Sequence, residues 1–197
     1  GYYLKSALPD LELVLIDINE QALEKALGRV ENYVEKGLAR KKLSPDVADK
    51  VKSGIVTSTD DQALAHCDWV LEAATENLDL KKRIFSDVEA LVRPDALITS
   101  NTSSLPATRL FSHLQHPERA TVTHFFAPAF KNPAVEVVEW ARSDDDVVDY
   151  LRWFFYQTGK VPMVTDDAVC FMLDRIFDNW CNEAALLLDV ASPAEID

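Results

Sequence analysis

The sequence of 197 residues predicts an α/β fold, a doubly wound and mostly parallel sheet followed by the start of an all-α segment. Three observations carry this. Short β-branched runs alternate almost throughout with stretches whose apolar residues recur at helical spacing. Ser100-Asn101-Thr102-Ser103-Ser104-Leu105 and His124-Phe125-Phe126 each follow such a run, and an open α/β sheet places its ligands at strand ends of that kind. Beyond Thr165-Asp166-Asp167 the composition changes to one long apolar helical stretch.

Taken in order, Tyr2 to Leu8 fits the end of a helix, and Leu11 to Ile16 a strand closed by Asp17. An acid in that place can hydrogen-bond the ribose hydroxyls of a dinucleotide, although Asp17-Ile18-Asn19-Glu20 also fits a helix N-cap with its early acids. Leu23, Ala26, Leu27, Val30, Val34 and Leu38 mark one face of a helix that ends before Arg40-Lys41-Lys42. Ser44-Pro45-Asp46 starts a short helix, and Ser53-Gly54 breaks it ahead of the strand Ile55 to Ser58. Asp68 to Ala74 is a stronger strand. A helix follows from about Leu78 to Val92, stopped by Arg93-Pro94-Asp95.

The strand Ala96 to Thr99 leads into the Asn-Thr-Ser-Ser turn, after which Pro106 suits a helical first turn. Ala120 to Thr123 is the strand before His124, and 127–133 a loop. Ala134 to Trp140 is a strand on which Glu136 and Glu139, of opposite parity, cannot both face a core. Ser143-Asp144-Asp145-Asp146 opens a helix that runs to Thr158, Val161 to Val164 is the last strand, and Ala168 to about Val190 is an apolar helix rich in expected buried positions. No repeat and no flexible linker interrupts the chain.

Composition narrows the function. A formal charge of -13 argues against nucleic acid as a partner, while Arg40-Lys41-Lys42 and Lys81-Lys82-Arg83 leave room for an anionic small molecule. No apolar run reaches the roughly 18 residues of a membrane span, and the first residues lack a signal-peptide layout, so a soluble cytoplasmic location is expected. Cys67, Cys170 and Cys181 lack metal-ligand spacing and lie in apolar surroundings, which favours buried reduced thiols and no metal.

His124 is a candidate base. Glu136 on the next strand could hold one ring nitrogen and leave the other to take a proton, or it could be a solvent-facing acid on an edge strand. Ser103 and Asn101 could steady an oxygen where charge develops, or simply cap a helix.

In order along the chain, Val14-Leu15-Ile16-Asp17, Val70-Leu71-Glu72-Ala73, Glu76-Asn77-Leu78, Ser100 to Leu105, His124-Phe125-Phe126, Val135-Glu136-Val137-Val138 and Gly159-Lys160-Val161-Pro162 resemble the L-3-hydroxyacyl-CoA dehydrogenase family. The resemblance implies a Rossmann-type NAD-binding domain over residues 1–164 and the beginning of a helical C-terminal domain over 165–197. The glycine-rich phosphate loop would be largely absent and the helical domain incomplete. It implies NAD contacts at Asp17, Glu76, Lys81 and Asn101. His124 would be the general base toward a 3-hydroxyl, paired with Glu136, and Ser103 would bind the reacting oxygen. An acyl-CoA thioester would be the substrate, with Lys41 or Lys42 near coenzyme A and Asp174 at the substrate. A homodimer through the helical domain is also implied.

Four positions depart from the family pattern. Ala127 stands where the family has Asn, Val169-Cys170-Phe171 replaces Pro-Gly-Phe, and Asp174 replaces the Asn before Arg175. An acid at 174 would oppose negative charge developing nearby unless it is protonated or paired with Arg175. Two rival readings accompany the resemblance. One is a dehydrogenase of free hydroxy acids, as in the lambda-crystallin and gulonate relatives; the other is a nucleotide-binding or assembly domain without catalysis.

Overall fold

The computed structural model describes residues 1–196. Its elements are α1 (Tyr2–Ala7), β1 (Leu13–Ile16), α2 (Glu20–Ala39), α3 (Pro45–Ser53), β2 (Ile55–Ser58), β3 (Trp69–Glu72), α4 (Leu78–Leu91), β4 (Leu97–Ser100), α5 (Ala107–Phe111), β5 (Ala120–Phe125), β6 (Ala134–Glu139), α6 (Asp145–Gln157), β7 (Val161–Asp166), α7 (Leu173–Leu186) and α8 (Pro193–Ile196). Strands β1 and β2 pair in parallel as a two-stranded sheet. The others form a five-stranded sheet in the order β3-β4-β5-β6-β7. Only the β5–β6 pairing is antiparallel. The predicted mostly parallel, Rossmann-type α/β fold is what the chain adopts.

The helices begin where capping chemistry allows. Asn19, Ser44, Asn77 and Asp144 each accept a backbone N–H of the following first turn, which satisfies donors the helix cannot pair internally. The cap of α2 is Asn19; Asp17 instead accepts from the Asn19 N–H at 2.9 Å, a tight turn that closes β1.

Two cores cover the two faces of the larger sheet. On one, Val70, Ile98, Ala120, Val122 and Val138 meet Phe85 and Val88 of α4 and Leu110 and Phe111 of α5. The Phe85 and Phe111 rings lie 4.7 Å apart and are fully buried, worth about 1.5–3 kcal/mol each by area. On the other, Val135 and Val137 meet Val148, Leu151 and Phe155 of α6. A third cluster seals α2 against α3 through Val30, Val34, Ala48 and Val51.

The alternation of side chains then decides where the polar residues point. His124 has the parity of Ala120 and Val122, and Glu136 that of Val138, so both lie on the α4–α5 side. Of the two acids on β6, Glu136 is fully buried and Glu139 exposed. Strand β6 pairs on both sides, which removes the edge-strand reading of Glu136.

Two expectations are corrected. The stretch from Ala168 to Val190 is not one buried helix. Cys170 and Phe171 adopt positive φ of 61° and 48°, which stops helical winding until Leu173, and no residue of α7 is buried. Ile176, Phe177 and Trp180 are largely exposed, because the periodicity that marks an apolar face does not supply the surface that covers it. Of the three free thiols, Cys67 and Cys170 are half-buried but Cys181, on this helix, is exposed.

Candidate active site

Strands β3, β4 and β5 run parallel, so Glu72, Ser100 and Phe125 end on one edge of the sheet, and the loops beyond them carry the polar residues. The β5–β6 register sets His124 directly opposite Glu136. Facing residues on one side of an antiparallel pair stand close enough to interact. Here the His124 Nδ1–H donates to Glu136 Oε2 at 2.8 Å. The other Glu136 oxygen accepts the backbone N–H groups of Met172, at 3.0 Å, and Leu173, at 2.8 Å. One carboxylate therefore fixes the imidazole and caps the N-terminus of α7.

Burial pushes the Glu136 carboxyl up, but the hydrogen bonds from His124 and the two amides outweigh it and hold the group below its ordinary 4.5. With Nδ1 committed as a donor, a neutral His124 carries its lone pair on Nε2. Phe126 and Phe171 wall the ring, at centroid distances of 4.4 and 6.0 Å. On the Nε2 side stands Asp174 of α7, its Oδ2 3.9 Å away. Burial raises the Asp174 carboxyl above its ordinary 3.8; His124 opposes this, and Glu136 and Asp178 add to it. Asp174 forms no ion pair with Arg175 among the described residues.

The Ser100–Leu105 turn is held from below. Ser100 Oγ donates to Glu72 Oε2 at 2.6 Å, and Lys81 Nζ binds the other Glu72 oxygen at 2.7 Å. Glu72 and Lys81 are both buried, and Lys81 also reaches Glu76 at 3.3 Å. Glu76 in turn accepts the hydroxyls of Thr102 and, at 3.0 Å, Ser104. Burial would raise the Glu76 carboxyl, but those hydroxyls and the Lys81 charge keep it below its usual value. Asn101 Oδ1 accepts the Phe125 N–H at 2.9 Å, which stitches the β4 turn to the end of β5 and leaves its amide N–H free to donate.

The residues singled out from sequence thus fall into three groups. His124, Glu136 and Asp174 meet in one cluster. Glu76, Lys81 and Asn101 form the frame beneath the turn, and the Lys81 ammonium is committed to that frame. Ser103 is exposed and its hydroxyl has no hydrogen-bond partner among the described residues. At the end of β1, Asp17 keeps one oxygen unpaired among the described residues, beside Ile18, which is 98% exposed. Lys41 and Lys42 lie exposed in the turn after α2, Lys41 at a φ of 54°, with no bond to the His124 cluster among the described residues.

Sequence reading missed four supports. Glu72 was named only within a matching strand motif, with no role of its own. Thr102 is the buried pin of the turn, accepting the Leu105 N–H at 3.1 Å. Asp167 caps α5 from 60 residues away, through the N–H groups of Ala107 and Thr108. Lys160 is buried and clamps the loop after His124-Phe125-Phe126 through the carbonyls of Ala129 and Asn132. Only the Gly159-Lys160 motif hinted at the last.

No helix is long and apolar enough to cross a membrane among the described residues.

Comparison with known proteins identifies the family and the fold. A family model described as "3-hydroxyacyl-CoA dehydrogenase, NAD binding domain" matches residues 3–168. The fatty acid oxidation complex subunit alpha of Idiomarina loihiensis is 31% identical over 176 residues, which is 89% of this chain and 24% of that one. The chain spans about a quarter of the length of the curated relatives it matches. A (S)-3-hydroxybutyryl-CoA dehydrogenase from Ralstonia eutropha superposes with a TM-score of 0.93 at 30% identity, covering 100% of this chain and 71% of that one. The Escherichia coli 3-hydroxybutyryl-CoA dehydrogenase gives 0.91 at 30% identity, over 98% of this chain and 42% of that one.

Proposed function

The chain belongs to the 3-hydroxyacyl-CoA dehydrogenase NAD-binding domain family, and from that premise we propose that it takes part in the reversible, NAD-dependent oxidation of a 3-hydroxyacyl-CoA to the 3-ketoacyl-CoA. The single observation that carries the reading is the His124–Glu136 pair, a base with one nitrogen fixed by a buried carboxylate and the other without a hydrogen-bond partner among the described residues.

The residues at that edge fit a dinucleotide. A free Asp17 oxygen suits the ribose hydroxyls, the exposed Ile18 offers an apolar face to a flat base, and the Asn101 amide and the Ser103 hydroxyl can donate nearby. NAD, when bound, supplies the hydride acceptor. His124 Nε2 removes the proton of the 3-hydroxyl, and Glu136 stabilises the imidazolium that results. Ser103 donates to the reacting oxygen as it gains negative charge. Lys41 and Lys42 would meet the anionic coenzyme A. In this reading the protein works in the cytoplasm, and the apolar face of α7 begins a helical domain, from about residue 165, through which two copies pair.

The test is an NADH-absorbance assay of the full chain against a panel of 3-hydroxyacyl-CoA esters. His124→Ala should lower turnover by about 10²–10⁴-fold or more with the fold intact by circular dichroism. Near-normal turnover of the variant would sink the reading.

A further inference from the structure

Asp174 is an acid where the family pattern has an amide, and it lies beside the candidate base. Its Oδ2 lies 3.9 Å from His124 Nε2. An oxygen about 2.8 Å from both atoms subtends roughly 90° between them, so one substrate oxygen can hydrogen-bond both groups at once. The Asp174 side chain is 30% exposed and that of His124 is 6% exposed. A carboxylate in that position would face an oxygen that becomes negative in the transition state, in whichever direction the reaction runs. A carboxylic acid would instead give that oxygen a hydrogen bond.

We propose that Asp174 acts as a neutral carboxylic acid that donates a hydrogen bond to the reacting oxygen beside His124, so that turnover requires Asp174 to be protonated. This rests on the dehydrogenase reading above. In the reductive direction the carbonyl carbon receives hydride from the reduced cofactor and the C=O electron pair moves to oxygen. His124 Nε2–H breaks as the new O–H forms, and Asp174 keeps its own proton throughout. Oxidation retraces the same steps, with the proton returning to His124.

The surroundings favour the neutral acid. Glu136 on β6 and Asp178 one turn along α7 both face Asp174 with negative charge, and burial acts in the same sense. His124 on β5 opposes them when it is charged. Cys170, in the loop before α7, is close enough for its thiol to be raised by the Asp174 charge. Arg175 makes no ion pair with it among the described residues. A carboxyl held neutral in a site so that it can donate to a developing oxyanion is an established device in other enzymes.

The experiment compares the full chain with Asp174→Asn and Asp174→Ala, each checked for fold by circular dichroism. Oxidation of a four-carbon 3-hydroxyacyl-CoA by NAD is followed from about pH 5 to 9. Calorimetry then measures the affinity of the corresponding 3-ketoacyl-CoA in the presence of NAD. Wild-type kcat/KM should fall about tenfold per pH unit above the ionisation of Asp174, and affinity should fall with it. Asp174→Asn should remove that limb from both profiles and exceed wild type at the alkaline end. Asp174→Ala should remove the limb but stay about tenfold or more below Asn, having lost the donor. Superimposed wild-type and Asn profiles would overturn the inference alone. Absence of turnover with any CoA ester in all three proteins would overturn the dehydrogenase reading and this inference with it.

Discussion

Replacing Glu136 by Gln separates the two duties of one buried side chain. The amide oxygen can still accept the N–H groups of Met172 and Leu173, but as a neutral acceptor. Charge-assisted hydrogen bonds contribute about 1.5–3 kcal/mol and neutral ones about 0.5–1.5, so each of these two bonds weakens by about 1 kcal/mol. Toward His124 the variant presents an N–H instead of an acceptor. The ring can keep that contact only by moving its proton to Nε2, which removes the lone pair that should accept the substrate proton. The expected result is a stability loss of about 2–3 kcal/mol in urea unfolding and a fall in turnover on the order of 10³–10⁴, the scale seen when a buried acid that orients a catalytic histidine becomes an amide. Turnover within about tenfold of wild type would refute the orienting role.

The same carboxylate gives the fold an acid limit. Its folded pKa lies below the unfolded 4.5, so its contribution is fully present above that value and is lost as pH falls through the lower folded one. In the glutamine variant, acid-unfolding curves below about pH 4.5 should be flatter than in wild type.

Two further substitutions test the frame around the site. Lys81→Met should destabilise by about 3–5 kcal/mol in urea, because it leaves the buried Glu72 without its cation. Turnover lost with no change in stability would instead indicate that Lys81 reaches the cofactor directly. Cys170→Gly should stabilise by about 0.5–1 kcal/mol, since Cys170 holds a φ of 61° whose strain glycine relieves, less the extra chain entropy that glycine loses on folding. A lower melting temperature would contradict that account.

By itself the sequence determined the elements as far as β7 and their order. Period-2 runs and 3.6-residue stripes are local signals, and Asn19, Ser44, Asn77 and Asp144 mark helix starts within four residues of the groups they satisfy. It also determined that only one of Glu136 and Glu139 could be buried, because parity on a strand is local. Which one was buried, and that it meets His124, depended on β6 turning back antiparallel to β5 and on its register there. Those are set by the 127–133 loop and by the surfaces that cover both faces of the sheet.

Contacts between distant segments were equally out of reach. The Lys81-Lys82-Arg83 cluster left room for an anionic small molecule, and only packing of α4 on β3 and β4 turned its first lysine inward onto Glu72. Asp174 was visible as an acid where the family has an amide. Its approach to His124 Nε2 required the left-handed turn at Cys170 and Phe171 and the Glu136 cap that seats α7. A charge pattern can be read from neighbours in sequence, whereas the protonation a site demands depends on which groups folding brings within a few ångströms.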